Sequence, residues 1–224
     1  MDAMTERLPV FPLHTVLFPG DLLPLHIFEP RYRLMLSQCV TRDPCFGVVL
    51  TKRGSEVGDR PEIHQTGTSA TVVEQASLPD GRSNLLVKGV RRFQVLESDW
   101  DESYMVAAIR WCDAHDSTAS GTGLQNEVTH IRDLLDRYLD AYNQVTGQRI
   151  KFRDFGDEPC AFAYRVASTL PMPLESRQRL LEVRPPDQLL SLLEKMVRYE
   201  TSLLLKTGAS AFLPGQHGAR FSSN

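Results

Sequence analysis

The chain has no run of about 18 apolar residues, so no transmembrane helix is predicted. Its opening, MDAMTERLPV, has no apolar h-region, so no secretory signal peptide is read there and a cytoplasmic location is expected. Cysteine is scarce. Cys39, Cys45, Cys112 and Cys160 are scattered with no C-x-x-C pair, which argues against a clustered zinc site; in a reducing compartment they are expected to be small buried apolar groups. No sign of charge dominates. The 25 Lys and Arg against 28 Asp and Glu leave a net charge of −3, so no global electrostatic case exists for nucleic acid or an anionic membrane. No Gly-Lys dipeptide occurs, so the phosphate-binding pattern G-x-x-x-x-G-K-[ST] is absent, and neither an ATP site nor any cofactor is expected. Neither H-E-x-x-H nor G-x-S-x-G appears, which leaves a zincin or an α/β-hydrolase unsupported.

What is present fits a globular chain of 224 residues with 42% hydrophobic content, enough for one large domain or two small ones. The first half reads as β. Strands are predicted over 8–13, 22–28, 45–51, 68–78, 84–97 and 103–112. Pro12, Pro19, Pro24 and Pro30 punctuate the opening; proline lacks a backbone donor, so strand-like runs that hold one are placed at edges, bends or bulges. Phe18-Pro19-Gly20 is a turn signal. A helix over 30–40, opened by Pro30, carries Tyr32, Met35, Leu36 and Cys39 on one side. Residues 52–66 read as a polar loop. Pro79-Asp80-Gly81-Arg82 supplies the turn of a hairpin. Gly89 interrupts the following strand and marks a bulge or tight bend. Six or seven strands with one long bent member predict a closed or nearly closed barrel, although periodicity alone leaves a sandwich open.

Residues 113–123 have no apolar group larger than alanine and read as a linker between a β-rich unit, 1–112, and a helical unit, 124–208. Thr122-x-x-Gln125 reads as a capping box. Leu124, Val128, Ile131, Leu135, Tyr138, Tyr142 and Val145 then follow at helical spacing until Gly147. Pro159 opens a second helix with Phe162, Ala163, Val166, Ala167 and Leu170 on one face, stopped by Pro171 and Pro173. A short helix spans 174–183. After Pro185-Pro186, Leu189, Leu193, Met196, Val197, Glu200 and Leu204 trace the last stripe. These stripes are expected to form the inside of a helical bundle. Residues 209–224 are expected to be disordered.

Several residues are candidates for chemistry. His14 and His26 lie in the opening strands, where packed or hydrogen-bonded histidines outweigh a metal pair. Glu29, Arg31 and Arg33 cluster at a helix start, as ligand contacts at a rim or as a cap with surface ion pairs. Arg91 and Arg92 adjoin Phe93; such a group can stack on nucleobases, or be one solvated and one paired arginine of a strand. Asp80-Gly81-Arg82-Ser83 resembles the context of a peptidase serine, but Lys88, the nearest base, lies in the same strand, and a hairpin turn accounts for the residues.

The order of the opening motifs carries a family likeness. Pro12-Leu13-His14, Phe18-Pro19-Gly20 and Phe28-Glu29-Pro30-Arg31-Tyr32 resemble, in that order, the start of the N-terminal substrate-recognition domain of Lon proteases. Arg53 to Gly58, Gly67-Thr68-x-Ala70, Leu86 to Phe93, Ala167 to Pro171 and Arg177 to Glu182 extend the resemblance over about residues 8–206. The resemblance implies an α+β fold, with a PUA-like antiparallel β-barrel followed by a C-terminal helical bundle. It implies a stand-alone bacterial substrate-recognition module without ATPase or peptidase modules, and so no enzyme. The expected partner is an unfolded or degron-bearing polypeptide, or a protein partner in quality control, held in a groove between barrel and helices. His26, Glu29, Arg31, Arg33, Arg91 and Arg92 are the candidate binding residues. The alternative is an RNA-binding PUA-like module, disfavoured by the acidic balance. A small-molecule sensor is weaker still, because nothing here matches the zinc-bound ligand pocket of a related eukaryotic protein.

Overall fold

The computed structural model describes residues 5–39, 46–54, 60–100, 103–112, 121–147, 155–207 and 222–223. The chain divides into two units, Met1–Asp113 with Gly218–Asn224, and Ala114–His217. The first unit holds one seven-stranded sheet. Its strands are β1 (Glu6–Leu13), β2 (Leu22–Ile27), β3 (Phe46–Arg53), β4 (Glu62–Ser77), β5 (Ser83–Asp99), β6 (Met105–Trp111) and the short β7 (Ser222–Ser223), in the order β4-β3-β1-β6-β5-β2-β7. β4 also pairs β5, so the pairings β4-β3-β1-β6-β5 form a ring from which β2 and β7 branch. With five helices among the described residues the fold is α+β, as expected. The expected antiparallel sheet needs correction: it is mixed. β1 runs parallel to β3, because the segment between them, with β2 and α1 (Pro30–Cys39), forms a crossover, and β7 runs parallel to β2.

The prolines obey the edge rule residue by residue rather than strand by strand. β1 lies inside the sheet, between β3 and β6. Yet Pro9 pairs only with Val106 on β6 and Pro12 only with Val49 on β3, and the two ladders overlap only at Val10. Among the described residues each proline therefore has a strand partner on one side only, the situation in which a missing N–H is tolerated.

Two apolar clusters fill the unit. In one, α1 packs Tyr32, Met35, Leu36 and Cys39, the predicted stripe, against Phe11, Phe46, Leu25 and Val87. The Phe11 ring lies 4.0 Å from that of Tyr32 and 6.0 Å from that of Phe46, centroid to centroid. The other cluster gathers Val10, Val49, Phe93, Val95, Met105 and Ile109. The predicted loop over 52–66 is shorter than expected. β3 runs to Arg53 and β4 begins at Glu62, because Thr51 pairs Ile63, Arg53 pairs Glu62 and Thr66 pairs Gln94. Polar residues there are strand by ladder bonding, which periodicity does not register.

Gly89 organises the long strand. One edge of β5 pairs β4, while the other pairs β2 over Ser83–Lys88 and β6 over Phe93–Asp99. At the changeover the Gly89 N–H donates to the Asp21 carbonyl at 2.9 Å, and its carbonyl accepts from the Gly20 N–H at 2.8 Å. A Cβ at position 89 would collide with the Phe18 carbonyl oxygen. The turn itself is closed by Asp21 N–H donating to Phe18 O at 3.1 Å, with Gly20 at φ +89°.

The second unit contains α2 (Gly121–Thr146), α3 (Pro159–Thr169), α4 (Leu174–Glu182) and α5 (Pro186–Thr207). α2 and α5 pack together, and α3 packs on α5. The predicted stripes are buried apart from Val145, which is exposed, and Met196, which is half-buried. α2 starts at Gly121, so the last residues of the predicted linker are helical; the side chain of Thr122 lies outside the described residues. The Glu158 side chain caps α3, accepting from Cys160 N–H at 3.1 Å and Ala161 N–H at 2.6 Å. Between α2 and α5, Glu194 takes Arg198 Nε at 2.8 Å and lies 3.3 Å from His130 Nε2, which holds its carboxyl below the usual range, chiefly through the Arg198 hydrogen bond.

Gly89→Ala is expected to destabilise the protein by roughly 2–3 kcal/mol in urea unfolding, since the new methyl meets rigid backbone. Gly123→Ala, with open space around its Cβ position, is expected to be neutral or slightly stabilising. Glu200 is buried on α5, and burial raises its carboxyl above the ordinary range. A group raised on folding contributes stability below its unfolded value, and that contribution is lost as pH rises through its folded value. Glu200→Gln is therefore expected to raise the urea midpoint near neutral pH, and the gain should vanish on acidification below the unfolded carboxylate range.

Candidate functional site

The six candidate residues lie in the first unit, and of them the structure brings Glu29 and Arg31 into contact. His26 lies on β2, half-buried, with Nδ1 2.6 Å from Asn84 Oδ1 on β5 and its ring stacked on Phe28. Glu29 and Arg31 meet at the start of α1. They form an ion pair of 3.1 Å, and the Arg31 guanidinium lies over the Tyr32 and Trp100 rings at 4.7 and 5.7 Å. Arg60 also faces Trp100, at 5.5 Å. Arg33, in the same predicted cluster, turns away and lies against Gly81 of the hairpin turn. Arg91 and Arg92 separate as strand alternation requires. Arg91 covers the Trp111 ring at 4.9 Å, and Trp111 Nε1 donates to Glu6 Oε2 at 2.7 Å. Arg92 is buried, 6% exposed, so it has little surface to offer a ligand.

The remaining candidates resolve into structure. Asp80 Oδ1 accepts from Arg82 N–H at 3.1 Å and Oδ2 from Arg82 Nε at 2.6 Å, and the backbone bond leads in holding its carboxyl below the usual range. Ser83 is buried at the start of β5, and Lys88 is exposed on the same strand. His14 is exposed; among the described residues no group of His, Cys, Asp and Glu is placed to hold a metal ion. Cys39 is buried as expected, whereas Cys112 and Cys160 are only half-buried, since each sits at an element end. Cys45 lies outside the described residues.

Sequence reasoning missed the outer face of β2, β5 and β4. Register places Leu22, Lys88 and Thr71 in one row, Pro24, Leu86 and Glu74 in the next, and His26, Asn84 and Ala76 in a third. Their neighbours Leu25, Leu85 and Val87 point into the core. The outer face thus mixes apolar Leu22, Pro24 and Leu86 with polar Lys88, Thr71, Glu74 and Asn84. Leu22 is 57% exposed, Val73 51% and Val90 49%.

Both valines stand at bulges. Between the pairs Thr68–Arg92 and Ala70–Gly89, β4 has one residue and β5 has two, Val90 and Arg91. Between Val72–Val87 and Glu74–Leu86, β4 has Val73 and β5 has none. At the first bulge a buried serine replaces the lost ladder bonds. Ser69 Oγ accepts from Arg91 N–H at 3.2 Å and donates to Arg91 O at 3.1 Å. The available signal was that β2 is apolar at both parities, Leu22 and Pro24 as well as Leu23 and Leu25.

The model of the ATP-dependent protease La (LON) substrate-binding domain matches residues 7–198. The chain belongs to this family. It is 24% identical over 207 residues to the Lon protease of Syntrophus aciditrophicus, covering 90% of this chain and 26% of that protein. It is 26% identical over 202 residues to the Lon protease of Solibacter usitatus, covering 89% and 25%. The chain thus spans about a quarter of the length of these curated relatives. Among solved structures it resembles the Lon N-terminal domain protein from Xanthomonas campestris, with a TM-score of 0.61, 25% identity, and coverage of 87% of this chain and 98% of that one. The N-terminal domain of the Mycobacterium avium complex Lon protease shares the fold, with a TM-score of 0.63, 15% identity, and 86% and 98% coverage.

In this LON substrate-binding domain the sequence motifs have physical duties. The Phe18-Pro19-Gly20 turn seats on Gly89, and Phe93 packs edge-on to Trp111 at 6.3 Å. Ser69→Ala removes the hydroxyl that bonds both backbone groups of Arg91. It is expected to lower unfolding free energy by about 1–2 kcal/mol in urea titration, whereas Ser69→Thr should lose less if the hydroxyl keeps its bonds.

Proposed function

We propose that this chain is a non-catalytic polypeptide-binding module whose outer β2–β5–β4 face takes unfolded or degron-bearing segments. In this reading the ring of strand pairings is a PUA-like barrel, the helices after it form a bundle, and the molecule acts in cytoplasmic protein quality control. The observation that carries the reading is three exposed apolar residues on these strands, Leu22, Val73 and Val90, in a chain that matches a substrate-binding domain. Half-buried Pro24 and Leu86 add apolar surface on the same face, and Lys88, Glu74, Thr71 and Asn84 supply polar groups among them. A binding role also fits the sequence, which lacks a phosphate loop.

The arginine–tryptophan pairs are the one feature that favours nucleic acid as a second reading. Arg31, Arg60 and Arg91 already lie over the Trp100 and Trp111 rings, and the net charge is −3, so the polypeptide reading is preferred.

The test is fluorescence anisotropy with a labelled denatured polypeptide and a labelled single-stranded RNA, at about 50 and 200 mM salt. Saturable, salt-tolerant binding to the polypeptide is expected. The double variant Leu22→Ser, Val90→Ser should weaken it on the order of tenfold or more, as loss of about 1 kcal/mol of apolar contact per residue requires, with the unfolding midpoint unchanged. Binding only to RNA, collapsing at the higher salt, would replace this reading with the nucleic-acid one.

A further inference from the structure

β2 is the outermost long strand of the sheet, with β5 along one side and β7 on the other. β7 pairs it in parallel at just two positions, Leu25 with Ser222 and His26 with Ser223. Among the described residues, Leu22, Leu23, Pro24 and Ile27 have no strand partner on that side. Proteins usually blunt such an edge with charge, and β2, LLPLHI, has no Lys, Arg, Asp or Glu. Among the described residues, Pro24 and the short β7 are what guards it. A strand added there would continue the outer face and set alternate side chains beside Leu22 and Pro24, the former 57% exposed.

We propose that the open edge of β2 binds extended polypeptide by strand addition, and that the chain's own Ser222–Ser223 strand competes for it. This deepens the polypeptide-binding reading and rests on it. The acceptable partner is an extended segment with apolar residues at alternate positions and free backbone N–H groups on one side. Main-chain bonds would supply affinity without sequence preference, and the apolar face would select the side chains. The occupied edge lowers apparent affinity by the fraction of molecules in which β7 is paired.

The experiment uses the full chain and its Ser222→Pro, Ser223→Pro variant, which removes β7 donors without touching either apolar cluster. The probes are a labelled denatured polypeptide, a labelled peptide of alternating valine and threonine with terminal lysines, and two copies of that peptide N-methylated at the valines or at the threonines. The proline variant is expected to bind the parent peptide roughly three- to tenfold tighter than the unmodified chain, the reciprocal of the open fraction. One methylated peptide should lose binding and the other keep it, because only one side of an added strand faces β2. The inference is overturned, with the polypeptide reading intact, if the denatured polypeptide binds but the peptide does not, if the proline variant leaves affinity unchanged, or if both methylated peptides bind like the parent. If neither the denatured polypeptide nor the peptide binds either protein, both readings fall.

Discussion

The first unit depends on a backbone approach that only glycine permits. Gly89 exchanges hydrogen bonds with Gly20 and Asp21 while its α-carbon lies against the Phe18 carbonyl, leaving no room for a side chain. That contact lets one strand serve two neighbours, β2 before the glycine and β6 after it. It also fixes where the Phe18-Pro19-Gly20 turn ends and therefore the register of β2. From that register follow the rows of the outer face, and from the bulge beside Gly89 follows the exposure of Val90. An apolar surface in this protein is thus a consequence of backbone geometry at a point inside the sheet.

The polar groups around it follow the same economy. Ser69 is fully buried, yet both its hydrogen bonds serve the residue that the bulge strands. The arginines that looked available in the sequence are largely engaged: Arg31 by Glu29, Tyr32 and Trp100, Arg91 by Trp111, and Arg92 by burial. Cation–π contacts of this kind are worth about 0.5–1 kcal/mol at exposed sites, so they order the rim more than they stabilise the fold. Among the described residues of the first unit, the uncharged β2 edge and the exposed Leu22, Val73 and Val90 remain open beside them.

Local signals with a mechanism were legible in the sequence. The α1 stripe, the Phe18-Pro19-Gly20 and Pro79 to Arg82 turns, the break at Gly89 and the stop at Gly147, with φ +70°, all correspond to structure. The family was legible from motif order. Long-range pairing was not. Nothing local in Val10 to Leu13 reveals that they run parallel to β3, and the polar residues after Glu62 become strand through partners found elsewhere. Of the six binding candidates, mostly charged residues, only His26 lies on the outer β2–β5–β4 face proposed here. Val73 and Val90 read as ordinary strand residues until the register exposes them at bulges, and β7 pairs within a stretch expected to be disordered.

The central claim is that polypeptide engages the outer β2–β5–β4 face. It is tested most directly by amide chemical-shift mapping of the full chain during titration with a denatured polypeptide. The account predicts that the largest shifts fall at Leu22, Val73, Leu86 and Val90 and their strand neighbours. Shifts centred instead on Trp100 and Trp111, or confined to α2 and α5, would contradict it.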